Sequence, residues 1–166
     1  MITFVDPKRI DRQLSQLSIQ RWELVDQIAF TYNMIHNAIE DRMISSTRWA
    51  LSDSAAEAAL ISQLIDTASS PRVSECSEIL RHLLQLRADL FDLDETFSRI
   101  EGPYYEHPWP RTFVDRTGTI HAAASCDGLP LDARLGWLPE VSGETDMKAA
   151  GGRSSMLCTH CLPQFP

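Results

Sequence analysis

The chain has 166 residues, room for one ordinary domain or for a helical domain with a small module attached. A hydrophobic content of 43% argues against wholesale disorder. The net charge is −8, with −7 on residues 1–106 and −1 on 107–166, which argues against a protein that grips nucleic acid mainly through phosphates.

Asp6-Pro7 predicts a helix start, because Asp can cap free amides and Pro at the first helical position forfeits no hydrogen bond. Ile10, Leu14 and Leu17, then Leu24, Ile28, Tyr32, Ile35, Ile39 and Met43, recur at three- and four-residue steps on either side of one seven-residue step. With no Gly or Pro between them, one amphipathic helix is expected to run to about Ile44. Ser45-Ser46-Thr47 breaks the pattern. A shorter helix is expected over Asp53–Thr67, capped by Ser52 or Asp53, with Leu60, Ile61, Leu64 and Ile65 inward. Ser69-Ser70-Pro71 reads as a turn and cap. A third helix follows with Val73, Cys76, Ile79 or Leu80, Leu83, Leu86, Leu90, Leu93, Phe97 and Ile100 on one stripe, ending at Gly102-Pro103. Two long helices and a helical connector suit an antiparallel hairpin closed into a three-helix bundle.

Past His107 the long stripes give way to Gly, Pro, Cys and short apolar pieces. Thr112-Phe113-Val114 and Thr119-Ile120-His121, joined by Asp115-Arg116-Thr117-Gly118, predict a β-hairpin with a Gly-containing turn. No apolar stretch approaches the roughly 18 residues that a membrane span requires. The opening MITFVDPKRIDR also lacks the apolar run of a signal peptide, so a cytoplasmic protein without membrane contact is expected. Cysteines stay reduced in that compartment, which favours metal ligands over disulfides.

The chemistry lies in two pairs. His121 and Cys126 have the spacing H-x4-C, and Cys158 and Cys161 form C-x2-C. Zinc favours four tetrahedral N and S ligands, and a C-x2-C turn aims both sulfurs at one ion. These four residues are the expected ligands of one structural zinc ion per chain, set against the alternative of unconnected thiols and a surface His. About 60 residues with few core positions need such a staple. Changing Cys158 to Ser is therefore expected to release zinc and unfold 107–166 while sparing the helices. His160 is expected to face solvent, Cys76 to be a small core residue, and His36 and His82 to be lone helical histidines. The acidic run Asp89, Asp92, Asp94, Glu95 reads as a solvated face.

The segment HPWPRTFVDRTGTIHAAASC…LGWLPEVSG…LCTHCLPQFP resembles a family of uncharacterised small proteins of actinobacteria and their phages. Those join a helical, often coiled-coil N-terminal region to a His/Cys segment. Trp109, Arg111, Phe113, Gly118, Ile120, His121, Cys126, Trp137 to Gly143 and Cys158 to Pro163 carry the likeness. Thr119 and Leu129 depart from it, standing where the family has a further His and a further Cys. The likeness covers about a third of the chain. It implies a zinc-ribbon-like module and brings no known activity.

The expectation is a mainly α protein: a helical, coiled-coil-like domain over 1–106 and a small zinc-ribbon-like α+β module over 107–166. A zinc deaminase uses H-x-E and P-C-x-x-C with an open metal position. Ala123 replaces that Glu, no Pro precedes Cys158, and Cys126 fills the fourth place. No catalytic residue and no other cofactor is therefore expected. The leading function is a non-catalytic adaptor or regulator that acts on a protein partner or self-associates through its helices. The runner-up is a nucleic-acid-binding regulator using Arg111, Arg116, Arg134, Lys148 and Arg153. Trp109 and Trp137 read either as the small core or as anchors for a partner.

Overall fold

The computed structural model describes residues 5–66, 72–130, 132–145, 148, 151 and 156–163. It is mainly helical, with small antiparallel sheets, and no described helix is long and apolar enough to cross a membrane. The helices are α1 (Pro7–Ala38), α2 (Asp53–Asp66) and α3 (Arg72–Glu106). A short hairpin, β1 (Met43–Ser45) and β2 (Arg48–Trp49), links the first two. β3 (Phe113–Val114), β4 (Ile120–His121) and β5 (Gly136–Trp137) form a second sheet in the order β4-β3-β5.

α1 begins as its sequence predicts. Asp6 Oδ1 accepts the Lys8 and Arg9 amides at 3.1 and 3.3 Å, and Pro7 occupies the first helical position. Its end differs from the expected Ile44. The helix stops at Ala38, Glu40 adopts the left-handed φ of 56°, and the Asp41 amide returns to the His36 carbonyl at 2.9 Å. This closure is normally made by Gly. Here Asp41 holds it, its Oδ1 accepting the Arg42 amide at 2.8 Å and its Oδ2 the Leu51 amide at 3.1 Å. Ile39 and Met43 keep the apolar spacing, but this capture of the helix end overrides it.

α2 starts where expected, and Ser52 is its cap, with Oγ accepting the Ala55 amide at 3.3 Å. The Ser69-Ser70-Pro71 cap lies outside the described residues. α3 runs through Gly102-Pro103 to Glu106 instead of ending there. Pro inside a helix costs about 3 kcal/mol in a lost hydrogen bond and a clash. The last turn is held by what lies beyond it. Tyr104 meets Trp109 edge to face at 5.1 Å, and Glu101 accepts Arg111 Nη1 at 2.6 Å.

The chain divides into two compact units, Gln20–Glu95 and a second made of Met1–Ile19 with Thr96–Pro166. The composition break near residue 107 marks a change of local structure; the division between units instead crosses α1 and α3. In the first unit Ile35, Ala56, Leu60, Ile79 and Leu83 form an apolar core shared by all three helices, with Cys76 packed against it. Contacts from Arg21 to Asp94 and from Arg87 to Tyr32 set α1 and α3 antiparallel there. The second unit buries Leu14, Trp109, Phe113, Ile120, Leu135, Leu157 and Leu162 together with the polar Asp11, Arg111 and His121.

Candidate metal centre

The β3–β4 hairpin forms as predicted, pairing Phe113 with His121 and Val114 with Ile120. Gly118 takes φ 85° in its turn, a conformation that L side chains rarely adopt. Asp115 organises the turn: its Oδ1 accepts the Thr117 amide (2.8 Å), the Thr117 hydroxyl (2.7 Å) and the Thr119 amide (2.9 Å). The Thr117 hydroxyl bond comes first in holding the Asp115 carboxyl down at about 2, against burial, which works to raise it. Its other oxygen faces His121 Nε2 at 3.4 Å. A carboxylate at Nε2 leaves Nδ1 as the ring nitrogen turned toward the cysteines.

Nδ1 stands 3.9 Å from Cys161 Sγ, and Cys126 Sγ stands 3.6 Å from Cys158 Sγ. The ligand atoms of His121, Cys126, Cys158 and Cys161 all lie within 4.8 Å of one another. Sulfurs about 2.3 Å from a tetrahedral zinc stand about 3.8 Å apart, with sulfur to nitrogen about 3.6 Å, so the donor set has nearly the dimensions of a filled site. The four cysteines form no disulfide. The cluster can hold a metal ion.

The second pair reaches the first through the backbone. Ile120 bridges Leu157 in parallel, and the Cys158 amide donates to the Ile120 carbonyl at 2.9 Å. Amide donors also meet the sulfurs, Gly128 N on Cys126 at 3.4 Å and Ala122 N on Cys161 at 3.3 Å. Burial works to raise the Cys158 thiol, but the amides of Cys161 and His160 together with the Cys126 and Cys161 sulfurs outweigh it and pull the thiol below its ordinary value. Burial pushes Cys161 up to about 11, with the neighbouring sulfurs adding to the rise. As thiolates the three sulfurs would repel one another in so small a space, and a bound metal ion would supply the positive charge that holds them together. His160 is exposed and outside the cluster, its ring lying against Gly128, where an added Cβ would come 2.8 Å from His160 Cδ2.

The residues considered for nucleic acid do not form one exposed patch. Arg111 is buried, with Nε on Asp11 Oδ1 at 3.1 Å and Nη1 on Glu101 Oε1 at 2.6 Å. Its guanidinium lies 3.5 Å over the Tyr104 ring, so it is not available to a phosphate. Lys148 pairs with Glu144, Arg116 is exposed, Arg134 is half-buried, and Arg153 lies outside the described residues. Trp109 is buried, donating to Asp11 Oδ2 at 2.9 Å. Trp137 donates to Ser18 Oγ at 3.1 Å and meets Phe113 and Phe97 edge on.

Three features escaped the sequence. Asp115 was legible in principle, since a hairpin turn beginning with Asp brings that carboxylate back toward the facing strand. The grouping of Asp11 with Arg111 and Glu101 had no local signal. His36, read as a lone histidine, is fully buried between Asp41 (2.8 Å to Nδ1) and Asp53 (3.1 Å to Nε2), and it stacks on Trp49 at 4.9 Å. His82 is exposed. Fold and site together define a mainly α protein whose small α+β region carries a four-residue cluster able to hold a metal. Comparison with family models, with curated proteins and with solved structures found no match.

Proposed function

We propose that the chain is a non-catalytic adaptor or regulator whose His121/Cys126/Cys158/Cys161 cluster holds one structural zinc ion. The observation that carries this reading is the closed donor set: four protein ligand atoms lie within 4.8 Å of one another. A structural zinc site uses all four tetrahedral positions for protein ligands, whereas a catalytic one keeps a position for water or substrate. Three sulfurs and one imidazole suit zinc better than the oxygen-seeking Mg²⁺ or Ca²⁺. Ala123 stands where a deaminase needs its proton-shuttling Glu, so that chemistry lacks support.

A protein partner is the better match to the acidic chain. The helical surface supports it: Phe30, Leu84 and Phe91 are 66%, 62% and 63% exposed. Nucleic-acid binding has less to draw on, because Arg111 is committed to two carboxylates.

Two measurements test the reading. Elemental analysis of purified chain should find one zinc per chain, and the cobalt-substituted protein should show the intense visible bands of a tetrahedral sulfur-rich site. A five- or six-coordinate cobalt spectrum would contradict a closed structural site. Titration with random-sequence DNA tests the alternative, since a salt dependence with a slope of several units would move the function to nucleic acid.

A further inference from the structure

We infer that the metal centre also governs the order of the two helix ends in its own compact unit, Pro7–Ile19 of α1 and Thr96–Glu106 of α3, with Arg111 carrying the coupling. The inference rests on the metal-holding reading of the His/Cys cluster. It extends that reading to residues that touch no ligand.

The most deeply buried positions of α1 in this unit are Asp11, Leu14 and Ser18, at steps of three and four, with Asp11 and Leu14 each 0% exposed and Ser18 8%. Two of these three are polar and the apolar Ile10 and Leu17 are only half-buried, so the segment depends heavily on its polar contacts. Its named partners are polar and come from 109–137: Trp109 Nε1 and Arg111 Nε on the two Asp11 oxygens, and Trp137 Nε1 on Ser18. The end of α3 depends on the same arginine, through Glu101 and through the Tyr104 ring beneath the guanidinium.

Arg111 is in turn positioned by the sheet. It lies two residues before Phe113, which pairs with His121 on one side and Trp137 on the other. Leu138 N donates to the Thr112 carbonyl and Gly143 N to the Pro110 carbonyl, both at 2.9 Å, which fixes the segment between. Each strand has two residues, far too short to persist alone. The metal ligands hold β4, β4 holds β3, and β3 delivers Arg111. Without the ion the sheet loosens and Asp11 loses its partner. A buried carboxylate without a partner costs more than a solvated one, so the helix ends open to water rather than stay packed. Metal loading thereby decides whether Leu14, Phe97, Trp109 and Trp137 are covered.

Hydrogen exchange on the full chain tests this, comparing the zinc-loaded protein with the same protein after EDTA. Amides of 7–19 and 96–106 should exchange about tenfold faster or more once the metal is gone, together with those of 107–163. Amides of 24–38 and 76–93 should keep their rates. Helix-end amides that hold their zinc-loaded rates after complete metal removal would overturn the coupling. A second chain with Asp11→Leu and Arg111→Leu removes both buried charges. It should still hold one zinc, and the response of 7–19 to EDTA should fall to about threefold or less. A response as large as in the unmodified chain would remove Arg111 from the role. An unchelated chain that takes up no zinc would overturn the metal reading, and the coupling with it.

Discussion

The two compact units of this chain are held by different means. In Gln20–Glu95, three helices close on Ile35, Ala56, Leu60, Ile79 and Leu83, with the polar Thr31 and His36 also buried. The other unit has a smaller apolar cluster of Ile120, Leu157 and Leu162, and its deepest residues include Asp11, His121 and Leu14. Apolar burial is graded, so losing one side chain weakens the first unit by degrees. Ligands and buried ion pairs are all-or-none: each needs every partner present, and removing one strands the rest.

The largest effect is expected from the metal ligands. Cys158→Ser should lower the zinc content from one per chain to near zero. It should also remove the cooperative unfolding of the metal-holding unit, since structural zinc supplies on the order of 10 kcal/mol to such small folds. Far-ultraviolet circular dichroism should still show the helical unit melting. A single transition lost for the whole chain would mean that the units do not differ as described. Arg111→Ala comes next, at about 3–5 kcal/mol with zinc present, because Asp11 is left buried and charged. Replacing Asp11 and Arg111 together by Leu should cost far less than the single change. If the pair costs as much as Arg111→Ala, the guanidinium matters through its contact with Tyr104 rather than through its charge.

The helical unit has a buried polar device of its own around His36, and it gives a smaller test. His36→Ala removes the ring that joins Asp41 to Asp53 and supports Trp49. About 2 kcal/mol should be lost from the unfolding of Gln20–Glu95 with zinc content unchanged, as expected for a buried hydrogen-bonded group. Asp41 shows what the ring contributes. Burial works to raise its carboxyl, yet the Leu51 amide, His36 and the Arg42 amide together hold it below the ordinary value.

The contrast also explains what could be read from the chain. The three helices were legible because period-3.6 burial repeats over many turns, and the grouping of His121, Cys126, Cys158 and Cys161 because metal-ligand spacing is recognisable within each pair. The hairpin at 113–121 was legible from Gly118 and its flanking strands. The end of α1 was not, because Asp41 stops the helix through contacts with His36 and Leu51 that no spacing announces. β5 was hidden for a related reason: two residues carry no periodicity, and Trp137 pairs with Phe113 from 24 positions away. The Asp11–Arg111 pair, 100 residues apart, is the extreme case. Nothing local marks a helical Asp as buried, or an Arg near two prolines as its partner.

The smallest expected effect concerns an exposed ion pair between the first turn of α1 and Glu144, inside the unit of Met1–Ile19 with Thr96–Pro166. Glu144 accepts Lys8 Nζ at 2.8 Å and Lys148 Nζ at 2.9 Å, and the neighbouring Gly143, at φ 77°, would bring an added Cβ to 3.1 Å from Pro7 Cγ. The Lys8 bond, then the Lys148 bond, lower the Glu144 carboxyl from 4.5 to about 2. A depressed folded-state value means that the contribution is present above 4.5 and is lost as pH falls toward 2. Exposure and salt keep it small. Glu144→Gln should therefore lower denaturant midpoints slightly at pH 6 and by less near pH 3, where part of the contribution has gone. That difference should shrink further in about 1 M salt, where the Debye length falls to about 3 Å. An equal loss at both pH values would assign the residue's role to packing of the Gly143–Glu144 turn against Pro7. The first turn of α1 would then be held as the helical unit is held, by contact rather than by charge.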